Sequence, residues 1–311
     1  MTTGKGGAER LAARCPPSST SRRSRRGSIG YAFIAPAIIG LLALYIIPLL
    51  TTIYLSFTET QPFGGSKFTG ADNYERLVRD PQFWESLRNS ATYTLIVLIG
   101  VPISIVIATC IHNVRRGKTV YRVLFFLPVV TLPVAIGMVW RYIFNGEFGL
   151  LNQAVAAVGI DGPSWVADPN VAIYAVSIVG IWMSLGTSII IIGAGLQGVS
   201  PELLEASSLD GAGPIRQFFS ITLPLISPSV FFVSVLSVIS SLQMFDLIYV
   251  MLSRGSQAET ASQTIVYYFY EKTFLEFDRG YGAAIAIVFL LIIMLTTTIQ
   301  FRIQRRTVFY G

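Results

Sequence analysis

Six stretches of this chain are free of charge, or nearly so, for long enough to cross a lipid bilayer, and nothing else in the sequence restricts its fold as tightly. They cover residues 31–57, 90–111, 121–143, 171–197, 225–252 and 281–301. A helix needs roughly 20 apolar residues to cross a hydrocarbon core about 30 Å thick. Backbone groups find no water there, so only helices or closed barrels are stable. The runs are continuously apolar rather than alternating, which excludes a barrel. With 52% hydrophobic and only 13% charged residues, the chain could not cover its apolar surface in water. The sequence therefore predicts an all-α integral membrane protein with six transmembrane helices. Pro48, Pro102 and Pro133 lie inside these runs. A soluble helix would lose about 3 kcal/mol at each, whereas membrane helices tolerate them when neighbours satisfy the freed carbonyls, so kinked, mutually packed helices are expected.

Lysine and arginine set the orientation, because they stay on the cytoplasmic side. The segment before residue 30 carries Lys5, Arg10, Arg14 and the run Arg22, Arg23, Arg25 and Arg26. The connection between the second and third runs adds Arg115, Arg116, Lys118 and Arg122, and the last segment adds Arg302, Arg305 and Arg306. All lie on the side reached by an even number of crossings. Both termini are expected in the cytoplasm, with 58–89, 144–170 and 253–280 outside and 198–224 inside. The net charge of +6 is accounted for by this bias and needs no nucleic acid. Residues 1–29 are polar, small and basic, a composition that cannot bury a core, so a disordered cytoplasmic tail is expected before a membrane domain over 30–311. Cys15 and Cys110 are the only cysteines and provide neither a disulfide framework nor metal spacing.

Catalytic and cofactor motifs fail on context. Gly193 to Gly198, "GAGLQG", matches a dinucleotide glycine pattern but closes an apolar run instead of joining a strand to a helix. His112 is the only histidine and has no converging partners. No catalytic or metal-binding residue is assigned, and any energy source is expected on another chain.

The loop 205–225, "EASSLDGAGPIRQFFSITLPL", is different. Ser200 suits an N-cap, Pro201 the first helical position and Glu202 the positive helix end, while Gly211 can supply a left-handed stop. Gly213 and Pro214 then begin a second short helix. Two helices of about ten residues are marginal alone and require packing, on their own membrane helices or on a partner.

Glu205, Ala206, Ser207, Gly211, Ile221, Leu223 and Pro224 reproduce the spacing EAA-x3-G-x9-I-x-LP. This resembles the EAA loop in permease subunits of bacterial ABC importers, with Ser207 in place of the usual alanine. The similarity runs from about residue 31 onward. "FTGADNYERLVRDPQFWESLRNS", "FGLLNQ", "LDGAGPIRQFFSITLPLISP" and "FDLIYVM" look like carbohydrate-uptake permeases of the maltose and glycerol-phosphate transporter type. "SRGSQAET" from Ser253 departs from the glycine-rich turn of many relatives.

The resemblance implies that Glu205, Ala206, Ser207, Leu209, Asp210, Gly211, Ile221, Leu223 and Pro224 form an ATPase-coupling loop between the fourth and fifth helices. It implies four kinds of partner: a second, homologous permease, a dimer of ATPase subunits that carry ATP and magnesium, an external solute-binding protein, and membrane lipid. The implied location is the bacterial cytoplasmic membrane. The expected solute is a sugar, oligosaccharide or polyol, with glycerol 3-phosphate or a glycerophosphodiester as the alternative. A passive channel or membrane anchor would share the helices but not the spaced loop. An intramembrane enzyme would need converging ionisable groups, and Asp246 is the only acid clearly inside a run. Gln243 and Asp246 lie three apart, so they are expected on one face of the fifth helix, as candidates for the solute path.

Overall fold

A computed structural model describes residues 33–60 and 65–307. The expected tail over 1–29, with Cys15 and the basic residues on it, lies outside the described residues. The chain divides near Thr51 into two units, and everything from Thr52 onward belongs to the second. The first long helix, α1, covers Phe33–Ser56.

After α1 come β1 (Thr58–Thr60) and β2 (Ser66–Phe68), which pair antiparallel with Thr58 opposite Phe68. The sequence predicts no strand, so this hairpin is a small correction to an all-α reading. Next stand α2 (Asp72–Arg79), α3 (Pro81–Val97) and α4 (Gly100–Asn113). Helices α3 and α4 continue each other as one span, Pro81–Asn113. It begins nine residues before the apolar run because Asp80 caps it, accepting from the Gln82 N–H at 3.0 Å, and Pro81 follows at the first position.

The third run is broken rather than merely kinked. Helices α5 (Lys118–Val130) and α6 (Pro133–Ile143) meet at 98°. Pro133 has no N–H to donate and holds Leu132 in an extended conformation, ψ 128°, so the helix stops and restarts. Helix α7 (Leu150–Ala156) leads to α8 (Ala172–Gln197), then α9 (Pro201–Leu209), α10 (Pro214–Leu225) and α11 (Ser227–Leu242), the last two at 68°. Three short helices follow, α12 (Asp246–Met251), α13 (Gln257–Ser262) and α14 (Ile265–Tyr270), before the long α15 (Arg279–Thr307). The fifth run, 225–252, is thus not one helix. Among the described residues four helices are long and apolar enough to cross a membrane, or up to six if each bent pair is one span.

Helix α8 is the centre of the second unit and packs against α3, α4, α5 and α11. Glycines permit its closest approaches. A Cβ on Gly186 would stand 2.5 Å from the Phe125 carbonyl oxygen of α5, and one on Gly180 would collide with the Tyr93 hydroxyl of α3. Several buried hydroxyls turn back on their own helices, as Ser104 Oγ does to Gly100 O (2.6 Å) and Ser177 Oγ to Ile173 O (2.6 Å), and these two carry no unmet donor into the core. Large apolar side chains such as Leu95, Val130 and Leu295 face outward. That arrangement suits a lipid surround and would be a liability in water.

Candidate functional site

The loop after α8 is built as its residues dictate. The Ser200 hydroxyl accepts from the Glu202 N–H at 3.2 Å, Pro201 opens α9, and Glu202 sits at the positive helix end. The helix closes where Gly211 takes φ +79°. The Ala212 N–H then donates to Ser207 O (3.0 Å) and the Gly211 N–H to Ser208 O (3.1 Å), the paired bonds of a left-handed glycine stop. Pro214 starts α10, which widens into a π turn over Phe218–Thr222.

A residue without motif status ties the two helices together. The Gln217 side-chain amide nitrogen lies 3.2 Å from Leu204 O, 2.7 Å from Ser208 Oγ and 3.1 Å from Ala212 O. Nothing local in the sequence signals these contacts, because they depend on how sharply Gly211 turns the chain. Ser207 fits where alanine is usual because its hydroxyl donates to Leu204 O at 2.9 Å and leaves no unmet donor.

The motif residues divide into two groups. Ile221, Leu223 and Pro224 are half-buried, and Leu223 packs on the cluster formed by α4, α8 and α11, anchoring the loop. Glu205, Ala206, Asp210 and Gly211 are exposed, and Leu209 is 90% exposed. Ile215 (77%) and Phe219 (63%) extend the same bare apolar character onto α10. Among the described residues Leu209 and Ile215 stand exposed, and Phe219, also exposed, meets the Phe218 ring edge-on at 5.1 Å.

A second feature lies between α3, α8 and α11. A cavity of about 440 Å³ is lined by Tyr93, Ser184, Ser188, Ser237, Gln243 and Met244, among others. Its wall offers hydroxyls and one amide and, among the described residues, no lysine, arginine, aspartate or glutamate. Ser184 and Ser188 are four residues apart, as are Ser237 and Ser241, so their helical spacing was a signal available in the sequence.

Gln243 and Asp246 do not share a helix face. Gln243 ends α11, Phe245 leaves the helical region at φ −136°, and Asp246 begins α12. Gln243 reaches the cavity and Asp246 does not. The break contains neither proline nor glycine and is held from outside. Thr264 Oγ1 donates to Met244 O at 2.7 Å, and the Phe245 ring sits among Tyr249, Tyr267 and Tyr270. The cavity wall between its polar groups is largely apolar, and helical breaks beside a cavity are where membrane transporters place solute sites.

Residues 100–309 match the family described as the inner membrane component of binding-protein-dependent transport systems. The probable ABC transporter permease protein YesP of Bacillus subtilis is 37% identical over 300 residues, covering 93% of this chain and 95% of the relative. SmoG of Agrobacterium fabrum, a sulfoquinovosyl glycerol transport system permease, is 33% identical over 275 residues, covering 88% and 89%. The fold matches a chain of a bacterial alginate ABC transporter, crystallised with an alginate pentasaccharide-bound periplasmic protein, at a TM-score of 0.83 and 20% identity, covering 94% of this chain and 100% of that one. The helical membrane architecture, the spaced loop and these matches converge: the chain belongs to the binding-protein-dependent transport system inner membrane component family and is an ABC transporter permease.

Proposed function

We propose that this chain forms one half of the membrane pathway of an ATP-driven importer for a sugar, oligosaccharide or polyol. In this reading each bent helix pair is one span, which makes six, and both termini face the cytoplasm. A second permease completes the pathway, an external binding protein delivers solute, and ATP with magnesium is used on separate ATPase subunits. Helix α9 is the coupling helix. Glu205 meets polar or basic groups of the ATPase, while Ala206 and Leu209 enter its groove.

The observation that carries this reading is the exposure of Leu209, Ile215 and Phe219 on a helix pair held by its own cap at Ser200 and by the Gln217 bridge. The neutral cavity beside the break at Gln243 supports a polar, uncharged solute path, in which Gln243 lines the wall and Asp246 stands beyond it. Membranes containing Glu205→Lys test the coupling role through solute uptake and ATPase retention together. Loss of either with normal insertion is expected, and normal values of both would remove the assignment. For the path, unchanged uptake and preference in both Gln243→Ala and Asp246→Ala would remove those residues from it.

A further inference from the structure

Arg115, Arg116, Lys118 and Arg122 gather at the turn between α4 and α5, the three arginines exposed and Lys118 half-buried. No aspartate or glutamate occurs between Glu85 and Glu147. Helices α8 and α11, which pack on α4, contain none either, and Glu85 of α3 pairs with Arg88 at 3.3 Å. Among the described residues no salt bridge reaches any of the four cations, so the acids of α9 and its turn, Glu202, Glu205 and Asp210, leave them unpaired. Four like charges on eight residues repel one another and favour an anion between them.

An apolar groove of about 340 Å³ continues from the same stretch, lined by Tyr121, Leu124, Phe125, Pro128 and Trp182. Lys118, Tyr121, Arg122 and Phe125 recur at three and four residues, so two of the cations share a face of α5 with the groove. From Lys118 to Pro128 the helix rises about 15 Å, half of a hydrocarbon core and therefore one leaflet. The far wall is fixed. Helix α8 approaches α5 closely at Gly186, and one turn before it the Trp182 ring rests edge-on against Trp140 at 5.7 Å, still 39% exposed toward the groove side.

An occupant that uses both parts must carry an anion at one end and an alkyl chain at the other. A free phosphate would use the cations alone, and a neutral lipid the groove alone. We propose that this face of α5 is a binding site for one anionic phospholipid. Its phosphate sits between Lys118 and Arg122, with Arg115 and Arg116 at the rim. One acyl chain runs past Tyr121 and Phe125 to Trp182. The site goes beyond the importer reading and is independent of the solute and of the coupling loop, since it requires only that α5 lies in the membrane.

The test uses the complete transporter complex in phosphatidylcholine vesicles, doped with either phosphatidylglycerol or phosphatidylcholine whose acyl chains carry bromine. Bromine quenches indole fluorescence at contact, and the Trp182 signal is the difference between wild type and Trp182→Phe. Brominated phosphatidylglycerol should quench Trp182 at a membrane fraction about tenfold lower than brominated phosphatidylcholine, because each cation beside a lipid phosphate is worth a factor of roughly five before salt screening. The double variant Lys118→Gln, Arg122→Gln should lose most of this preference, and raised salt should weaken it in wild type. ATPase co-purification checks assembly. Should the double variant fail to assemble, the comparison of the two headgroups on wild type decides alone. Equal quenching by both lipids would make the groove an ordinary lipid-facing surface and overturn the site. No quenching by either would mean that protein, such as a second permease, covers the groove, and a preference that survives in the double variant would take the phosphate away from Lys118 and Arg122; each overturns the proposal while leaving the importer reading as it stands.

Discussion

Gln217 lies 2.7 Å from the Ser208 hydroxyl, bonding across nine residues and fastening α10 to α9 over the Gly211 turn. Gln217→Leu preserves bulk and removes both donor hydrogens from a site with three acceptors. A lost hydrogen bond of this kind costs about 1 kcal/mol, more where an acceptor is left buried. The loop should open more often, and amide exchange across residues 204–212 should speed up by roughly fivefold to tenfold. Solute uptake should fall while the chain inserts normally. Unchanged exchange would show that Gly211 and the caps hold the loop without Gln217.

Gly211 is constrained by its backbone rather than by its surroundings. Its φ is +79°, and an added Cβ would meet nothing within 4 Å. Side chains therefore cost conformational energy, about 1–2 kcal/mol, and a β-branched one costs most. Gly211→Val should lower uptake and ATPase retention together, whereas Gly211→Asn, which tolerates this conformation, should keep most of both. Equal loss in the two variants would point to contact with the partner surface instead of the turn.

Gly211 shows where sequence reading succeeds, and Gln217, whose contacts depend on that turn, where it stops. The stop at Gly211 and the caps at Ser200 and Pro201 are local, each set by residues within one helical turn, and the apolar runs are equally local in origin. The polar start of α3 escaped because Glu85 and Arg88 interrupt hydropathy while Asp80 and Pro81 still nucleate a helix. The break at Gln243–Phe245 escaped for a different reason. It is enforced by Thr264, 20 residues away, and by tyrosines of α12 and α14, none of which leaves a mark on the sequence of the break itself.

The basic connections predict sidedness. Arg115, Arg116, Lys118 and Arg122 should lie inside together with the loop around Gly211. A reporter that is active only outside the cytoplasm should work when fused after Gly162 and stay silent after Ala212. The reverse pattern would overturn the six-span topology with both ends inside.

Acid should weaken the junction between α2 and α3. Burial alone would raise the Asp80 carboxyl, but hydrogen bonds from Tyr268 and Tyr281 and from the Gln82 and Phe83 N–H groups outweigh it and hold its pKa below the ordinary carboxylate value. A depressed folded pKa gives stability that is complete above the unfolded value, about 3.9, and is lost as pH falls through the folded one. Between about pH 5 and pH 2, melting of the solubilised complex should decline more steeply for wild type than for Asp80→Asn. The variant should melt lower at neutral pH, where it lacks the charge-assisted bonds. Parallel curves would mean that other carboxylates govern acid sensitivity.

Thr264 provides the closest test of whether the helical break matters for transport. It is fully buried, and its hydroxyl donates to the Met244 carbonyl at 2.7 Å, on a chain segment whose neighbour Gln243 lines the cavity. Thr264→Val keeps the shape and removes the donor, leaving Met244 O without this bond at a cost of about 1–3 kcal/mol. The break is then free to shift toward a continuous helix, which would turn Gln243 relative to the wall formed by Ser184 and Ser188. Uptake should fall severalfold with ATPase retention intact, because the disturbance is far along the chain from the coupling loop. Thr264→Ser restores the donor and should recover most of the rate. If valine lowers thermal stability but not uptake, the hydrogen bond serves packing alone, and the break need not keep this geometry for solute to pass.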